Sequence, residues 1–300
     1  GLLRLQILQD MAARHTLFRS KALINNFRQF SSASKCLEVS VNDDTGVATV
    51  TMNRPPVNSL NLEFLAEFSD LLTDLKKNKS RGMILTSFSN KVFSAGLDIM
   101  EMHKPDIERF KQFWFNLQEV WMKLYGSPFP TAAAINGHSP AGGCLLAMCC
   151  EYRVMVKNYT IGLNETQLGI VAPMWFIKTM LNTISIRNTE LALTTGKLFK
   201  TDEALKVGLI DEIANDKSEA LEKAAGFFER FEMIPPIARA YTKDSLRGSD
   251  IEDLKKVREK DIQTTISLIT QPKVQQSLEF YLALLKNKKE ESAQIGRASC

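Results

Sequence analysis

The sequence has few of the residues that metal sites, catalytic triads and disulfide frameworks require. Of its three histidines, His15 lies in a basic N-terminal segment, which leaves His103 and His138 for the rest of the chain. Two histidines are too few for a histidine-rich metal cluster and offer little for a Ser-His-Asp triad. None of the five cysteines forms a C-x-x-C pair, and the adjacent Cys149 and Cys150 lie in an apolar run that favours core packing. We therefore expect no metal site.

Long hydrophobic runs are also absent. The longest apolar run, residues 140–150, is too short to span a bilayer, so we expect no membrane insertion. Hydrophobic residues make up 44% of the chain and charged residues 24%, which is ordinary for a globular protein.

Acidic residues are missing from residues 11–34, which are rich in Ser and Ala and can form a basic amphipathic helix. This composition is typical of a mitochondrial transit peptide, and the motif Arg28-Gln-Phe before Ser31 resembles a processing site. We predict a matrix protein that starts at Met11, with residues 1–34 as an N-terminal extension. A disordered basic tail is the alternative interpretation. The positive charges of the segment are Arg14, Arg19, Lys21 and Arg28.

The net charge of +4 belongs entirely to residues 1–34, because the remaining residues carry equal numbers of acidic and basic side chains. No net positive field remains to attract nucleic acid, so we expect no nucleic-acid partner.

The alternation of predicted strands and helices indicates an α/β fold. Alternating or apolar runs predict strands, and apolar residues at helical spacing predict helices. Beyond residue 173 strand signals fade. We expect a core over residues 35–230, a helical region that binds partner subunits over 231–290, and a disordered tail over 291–300. Predicted strands cover 37–41, 47–52, 82–87, 131–136 and 152–156; predicted helices cover 61–77, 107–125, 142–150, 173–182, 187–195, 201–206, 217–232, 237–247, 251–268 and 272–287.

Two glycine-containing loops follow predicted strands. They are the FSAGLD loop, residues 93–98, and the glycine loop, residues 137–143 (GHSPAGG). Glycine lets a backbone turn sharply and approach a ligand, so N–H groups from both loops can point into one cavity and form an oxyanion hole. The alternative is that Gly96, Gly142 and Gly143 only permit turns and close packing.

A third loop, the glutamate loop of residues 162–169 (GLNETQLG), supplies the carboxylate of Glu165 among apolar neighbours. Burial among such neighbours raises a carboxyl pKa and makes the carboxylate a better base. The alternative role is a solvated surface residue or a helix cap.

Together these loops carry a family resemblance. Residues 93–102 (FSAGLDIMEM), 134–148 (AINGHSPAGGCLLAM) and 161–171 (IGLNETQLGIV), in this order and spacing, resemble the crotonase superfamily of acyl-CoA enzymes. Residues 54–60 (RPPVNSL) add a fourth match, and the resemblance spans residues 37–285. Within the superfamily the motifs are most similar to those of mitochondrial Δ3,Δ2-enoyl-CoA isomerases.

The resemblance implies a crotonase-like spiral of ββα units followed by a C-terminal helical trimerisation region, and therefore a homotrimer. It also implies that the N–H groups of Leu97 and Gly142 bind the thioester oxygen of an acyl-CoA substrate and that Glu165 is the base. Asn164 would orient that base or contact the acyl chain. CoA is part of the substrate, so no separate cofactor is expected. Its adenine and pantetheine would contact the backbone of Ala95, Gly96, Leu97, Asp98 and Ile99.

One position departs from the pattern of the superfamily's hydratases, which use two glutamates. The first of these aligns with Leu145 and the second with Glu165. Hydration benefits from two groups that activate water, whereas moving a double bond needs one base. The resemblance therefore implies conversion of 3-cis- or 3-trans-enoyl-CoA to trans-2-enoyl-CoA in β-oxidation of unsaturated fatty acids. The alternatives are an enoyl-CoA hydratase, a dienoyl-CoA isomerase and a non-catalytic acyl-CoA- or RNA-binding homologue.

Overall fold

The computed structural model describes residues 36–298, with side chains as far as residue 286. The segment predicted to be a transit peptide lies outside the described residues. Within them, the strands are β1 (Leu37–Val41), β2 (Val47–Met52), β3 (Gly82–Ser87), β4 (Thr131–Ile135), β5 (Ser139–Pro140), β6 (Tyr152–Val156), β7 (Thr160–Gly162), β8 (Phe199–Lys200) and β9 (Glu212–Ala214).

The α-helices of the described residues occupy both the core and the C-terminal part of the chain. They are α1 (Leu62–Lys77), α2 (Ile107–Tyr125), α3 (Gly142–Cys149), α4 (Met174–Leu181), α5 (Ile186–Thr195), α6 (Thr201–Val207), α7 (Lys217–Gly226), α8 (Pro236–Ile269) and α9 (Pro272–Ala298).

The main sheet has the order β1-β2-β3-β4-β6-β9. The β1–β2 hairpin is antiparallel, and every later pairing in this sheet is parallel. Strands β3, β4 and β6 are buried along their whole length, which explains why their sequences are apolar runs rather than alternating patterns. Strands β5, β7 and β8 form a second, small sheet.

Local sequence explains the first two long helices. Asn61 caps α1 by accepting a hydrogen bond from the N–H of Phe64, and Asp106 caps α2 through the N–H of Arg109. Each helix buries one apolar face, as the helical spacing predicts. Helix α3 differs because all eight of its residues are buried, and it is therefore apolar on every side.

Helix α8 is fastened to the carboxyl end of α3 by charged side chains that are buried or half-buried. Glu151 accepts hydrogen bonds from Arg239 and from Lys243 Nζ. Arg247 Nη1 donates to the carbonyl of Cys149 at 2.8 Å and to that of Tyr125 at 3.2 Å. These arginine contacts satisfy carbonyl groups that a helix end leaves without intrahelical partners.

The structure departs from the predicted elements mainly in the C-terminal half. The helices predicted over 237–247 and 251–268 are one continuous helix, α8. Gly248 weakens a helix by only about 1 kcal/mol, which packing against the core outweighs. The helix predicted over 217–232 ends at Gly226 and continues as a 3₁₀ helix, Phe227–Phe231. Helix α9 extends to Ala298, so the boundary predicted at residue 291 does not mark the end of that helix.

Residues 36–298 contain no helix that combines the length and the apolar character needed to cross a membrane.

Candidate active site

The three predicted loops lie side by side. The N–H of Phe93 in the FSAGLD loop donates to the carbonyl of His138 in the glycine loop at 2.9 Å. The N–H of Ala141, also in the glycine loop, donates to the carbonyl of Gly162 at 2.8 Å, where the glutamate loop begins. The parallel pairing of β5 with β7 extends this second contact.

The N–H of Leu97 is directed away from its neighbouring strand. Leu60 and Leu97 form a parallel bridge in which the N–H of Leu60 donates to the carbonyl of Gly96 and that of Asp98 donates to the carbonyl of Leu60. Successive N–H groups of an extended chain point to opposite sides, so the N–H of Leu97 faces away from Leu60. Within residues 36–298 it has no hydrogen-bond acceptor.

The N–H of Gly142 is the first of α3, and a first-turn N–H has no intrahelical acceptor. The preceding Ala141 provides no side-chain cap and has φ +49°, a value that is strained for a residue with a side chain. Because α3 begins here, the positive end of its dipole adds to the attraction of an anion.

Close approach explains the glycines of both loops. A Cβ atom added to Gly142 would lie 3.3 Å from the backbone nitrogen of Leu97, so the two N–H groups are neighbours. A Cβ atom on Gly143 would lie 2.6 Å from the carbonyl oxygen of Ser94. Gly96 has φ +86°, and its Cβ would lie 3.1 Å from the nitrogen of Gly142. The glycines thus allow two backbone donors to come together.

Glu165 begins a 3₁₀ helix, Glu165–Leu168, directly after β7, and its side chain is buried. Both carboxyl oxygens lack a hydrogen-bond partner among the described residues. Removal from water raises the pKa of Glu165 from 4.5 to about 7. Burial raises the pKa of the Cys144 thiol in the first turn of α3, and the charge of Glu165 raises it further.

The other predicted site residues differ in whether their polar atoms have hydrogen-bond partners within the described part of the protein. Asp98 is engaged, since its carboxylate pairs with Arg54 at 2.9 Å and accepts from the N–H of Met100. The N–H of Ala95 and that of Gly96 also bond within the protein. The side-chain oxygen of Asn164 is buried and has no partner among the described residues.

Leu145, the position that the resemblance aligns with the first glutamate of hydratases, is buried in α3. Trp175 and Phe176 are buried and stack edge-on against each other, which makes them core residues. His138 contacts Thr160, and its Nδ1 accepts from the Thr160 N–H.

Sequence reasoning missed residues that hold the FSAGLD loop in place. The buried side chain of Asn58 bonds to the carbonyl of Phe93, and Arg54 pairs with Asp98. Within the loop, the buried hydroxyl of Ser94 bonds to the carbonyl of Asn58 and to the N–H of Gly96. The signal for Asn58 and Arg54 was the RPPVNSL match, to which the sequence assigned no role. Among residues 36–298, no group of three or more His, Cys, Asp and Glu side chains is placed to hold a metal ion.

Comparison with known proteins gives one consistent result. A family model described as enoyl-CoA hydratase/isomerase matches residues 42–291. The chain is 46% identical over 269 residues to "Enoyl-CoA delta isomerase 1, mitochondrial" of Mus musculus, which covers 89% of this chain and 92% of that protein. It is 44% identical over 247 residues to the Homo sapiens protein of that name, which covers 81% and 82%.

A solved structure agrees with these matches. The crystal structure of human mitochondrial delta3-delta2-enoyl-CoA isomerase superposes with a TM-score of 0.82 and 42% identity, covering 85% of this chain and 100% of that chain. The family resemblance and the α/β, crotonase-like fold class predicted from the sequence are confirmed.

Proposed function

The chain belongs to the enoyl-CoA hydratase/isomerase family, and we propose that it converts 3-cis- and 3-trans-enoyl-CoA to trans-2-enoyl-CoA. The observation that carries this proposal is the state of Glu165, a buried carboxylate whose oxygens have no partner among the described residues. Because neither oxygen is engaged in a hydrogen bond with these residues, the carboxylate is free to accept a proton. Its pKa of about 7 also suits a base that must first accept a proton and then return it.

The first step is removal of a proton from C2 of the substrate. The thioester oxygen accepts hydrogen bonds from the N–H groups of Leu97 and Gly142, and the carboxylate of Glu165 takes the C2 proton. The electron pair of the broken C–H bond moves into a dienolate whose negative charge develops on the thioester oxygen. Loss of one such donor typically costs about 3–4 kcal/mol of transition-state stabilisation.

The second step returns the same proton at a different carbon. The protonated Glu165 delivers it to C4, the double bond settles between C2 and C3, and the carboxylate is regenerated. Substrate and product have the same atoms and the same oxidation level. The reaction as written therefore consumes no water and needs no redox cofactor.

Leu145 supports isomerisation over hydration. A water molecule added across a double bond has to be positioned and activated, and a second carboxylate would serve that purpose. At position 145 a buried apolar side chain replaces it. A single base next to an apolar surface can move a proton along the substrate while water is kept away.

The CoA moiety is expected along the FSAGLD loop, through backbone atoms from Ala95 to Ile99. The N–H groups of Ala95, Gly96 and Asp98 are already bonded within the protein, so the carbonyl of Ala95 is the better candidate for the adenine amino group. The buried oxygen of Asn164 lies next to the base in sequence, and it is a candidate to orient Glu165 or to contact the acyl chain.

The test supplies cis-3-hexenoyl-CoA to the purified full chain. Formation of a conjugated enoyl thioester is followed by ultraviolet absorbance, and mass spectrometry follows any product that has gained water. The variant is Glu165→Gln. The matched control is Glu101→Gln, because Glu101 is also a buried carboxylate but is paired with Arg109 at 2.7 Å.

Conjugation without added water that is lost in Glu165→Gln and retained in Glu101→Gln supports the single-base isomerase. A rapid water adduct would identify a hydratase and refute the argument from Leu145. Binding of the acyl-CoA without turnover would identify a binding protein instead.

We also propose that the chain assembles as a homotrimer through its C-terminal helical region. Large apolar side chains just before α8 and in its N-terminal third are exposed, and exposed apolar patches of this kind mark interfaces. Light scattering on the full chain should give the mass of three subunits, and Ile237→Glu should lower it; a monomeric wild type would contradict the proposal. The exposed side chains are Met233, Ile234, Ile237, Tyr241 and Leu246.

The mitochondrial matrix is the proposed location. The relatives in Mus musculus and Homo sapiens are named mitochondrial, and residues 11–34 have the composition of a transit peptide. Import into isolated mitochondria should protect the chain from added protease and shorten it. We propose no nucleic-acid partner, because residues beyond 34 carry no net charge.

A further inference from the structure

The segment of residues 54–60, which matched the family by sequence alone, lies along the whole FSAGLD loop. The N–H of Ala95 donates to the carbonyl of Val57 at 2.9 Å, and the Leu60–Leu97 bridge continues the pairing toward Asp98. The direction of the Leu97 N–H is therefore set by this neighbouring segment.

Asn58 is a buried polar residue of that segment, with 1% of its surface exposed. Its side-chain amide donates to the carbonyl of Phe93 at 3.1 Å and to the hydroxyl of Ser87 at 2.7 Å. Its side-chain oxygen accepts from the N–H of Arg54 at 2.7 Å. One side chain thus joins the start of the segment, the end of β3 and the start of the FSAGLD loop.

Asn58 is also suited to its position by its backbone. Its φ is +49°, in the left-handed region that asparagine tolerates better than most residues with side chains. This conformation turns its carbonyl toward Ser94, whose hydroxyl donates to it at 2.7 Å. The same hydroxyl accepts from the N–H of Gly96 at 3.2 Å, one residue before Leu97.

Ser94 carries the connection to the second donor. Its carbonyl oxygen lies only 2.6 Å from the position that a Cβ atom on Gly143 would occupy. The backbone of Ser94 therefore contacts the first turn of α3. The chain of contacts from Asn58 through Ser94 therefore reaches both the loop that presents Leu97 and the helix that presents Gly142.

We propose that Asn58 is a positioning residue that holds the N–H of Leu97 in register with that of Gly142, so that both reach one thioester oxygen. This inference rests on the proposed function, in which those two N–H groups bind that oxygen. Asn58 itself does not touch substrate; it acts through Phe93, Ser94 and Gly96.

The test measures polarisation of a bound thioester carbonyl, which a merely structural residue would not change. The probe is hexanoyl-CoA labelled with carbon-13 at the carbonyl, a saturated thioester that cannot be isomerised. Hydrogen bonds to the carbonyl oxygen lower its stretching frequency, so isotope-edited infrared spectroscopy of the complex reports on the two donors. The variant is Asn58→Gly, which removes the side chain but still permits a positive φ.

A matched control exists in Asn136, with 2% of its surface exposed. Its side chain bonds the backbone of Ser87 and Ser89 but not the FSAGLD loop. Asn136→Ala removes a comparable buried amide. It should retain the carbonyl shift and the turnover of the wild type.

For Asn58→Gly we expect the carbonyl frequency to return toward its value in solution and kcat to fall roughly 10- to 100-fold, with KM little changed. The loss falls on kcat because the oxyanion contacts strengthen in the transition state, whereas contacts to the CoA moiety remain.

Each of the following results would overturn the proposal. A wild-type complex without a lowered frequency would refute the oxyanion hole itself, and with it the role of Asn58. If the wild type lowers the carbonyl frequency and Asn58→Gly lowers it by the same amount, the positioning role alone is refuted. An equal loss of the frequency shift in Asn136→Ala would show that the effect comes from disturbing the local structure in general, not from Asn58 in particular. If Asn58→Gly does not fold, Ser94→Ala is measured in its place, and retention of the full shift in that variant would refute the same chain of contacts.

Discussion

Replacing Glu165 by glutamine should abolish turnover and at the same time stabilise the folded protein at neutral pH. The pKa of Glu165 is raised from 4.5 to about 7 because burial removes its carboxylate from water. Each unit of pKa difference between folded and unfolded states corresponds to about 1.4 kcal/mol. Keeping this carboxylate ionised in the folded protein therefore costs about 3 kcal/mol above pH 7.

The pH dependence follows from the sign of this shift. Between pH 4.5 and about 7 the folded protein keeps a proton that the unfolded chain releases, so the stability of the wild type falls as the pH rises. Glutamine has a similar size and does not titrate. The free energy of unfolding of Glu165→Gln minus that of the wild type should therefore increase with pH by about 3 kcal/mol and level off about one pH unit above the folded-state pKa of about 7.

Urea denaturation of both proteins at one protein concentration, repeated from about pH 5 to about pH 8, measures this difference. Subtraction removes the titration of every group that the two proteins share. Glu101→Gln serves as the control, because it removes one of the two carboxylate partners of Arg109, the other being Glu63, and should destabilise the protein. A Glu165→Gln difference that stays constant with pH, or falls as the pH rises, would refute the description of Glu165 as a carboxylate held without partners.

Three further results are expected. The kcat/KM for cis-3-hexenoyl-CoA should rise with pH and level off above about pH 7, since the base must be ionised; a flat profile would contradict this. Gly142→Ala should lower kcat on the order of 100-fold, because its Cβ would lie 3.0 Å from Leu60 Cδ1 and 3.3 Å from the Leu97 nitrogen, whereas thermal stability should change less than activity. Burial lowers the pKa of Lys243 to about 8 from 10.5, so the unfolded chain binds a proton that the folded protein lacks between these values. The free energy of unfolding of the wild type should then rise with pH across that interval relative to that of Lys243→Met. A difference between the two proteins that does not change with pH would contradict this prediction.

Elements with a strong local signal could be predicted from the sequence. The β1–β2 hairpin and helix α2 have the predicted bounds, because alternation and helical spacing are properties of neighbouring residues. Strands β5, β7, β8 and β9 were missed, since two or three residues are too few to show a period. The break predicted near Gly248 was wrong because packing of α8 against the core overrides a weak helix former.

The candidate site was predicted in part. The motifs pointed to Leu97, Gly142 and Glu165, and the three loops that carry these residues do lie together; their roles in catalysis remain predictions. The direction of the Leu97 N–H depends on pairing with Leu60, which is remote in sequence. The burial of both Glu165 oxygens depends likewise on segments that no local pattern connects.

The contact between Arg247 and the carboxyl end of α3 bears on how the protein can be divided. The predicted elements and the family resemblance place a boundary near residue 231, between a core and a helical region that is expected to bind subunits. Yet the arginine that completes α3 is contributed from beyond that boundary, and α3 presents one of the two proposed oxyanion donors at its other end. A chain shortened to residue 230 would expose the carbonyls of a wholly apolar helix. We therefore expect that a truncation at this boundary cannot separate catalysis from assembly, and that both are lost together.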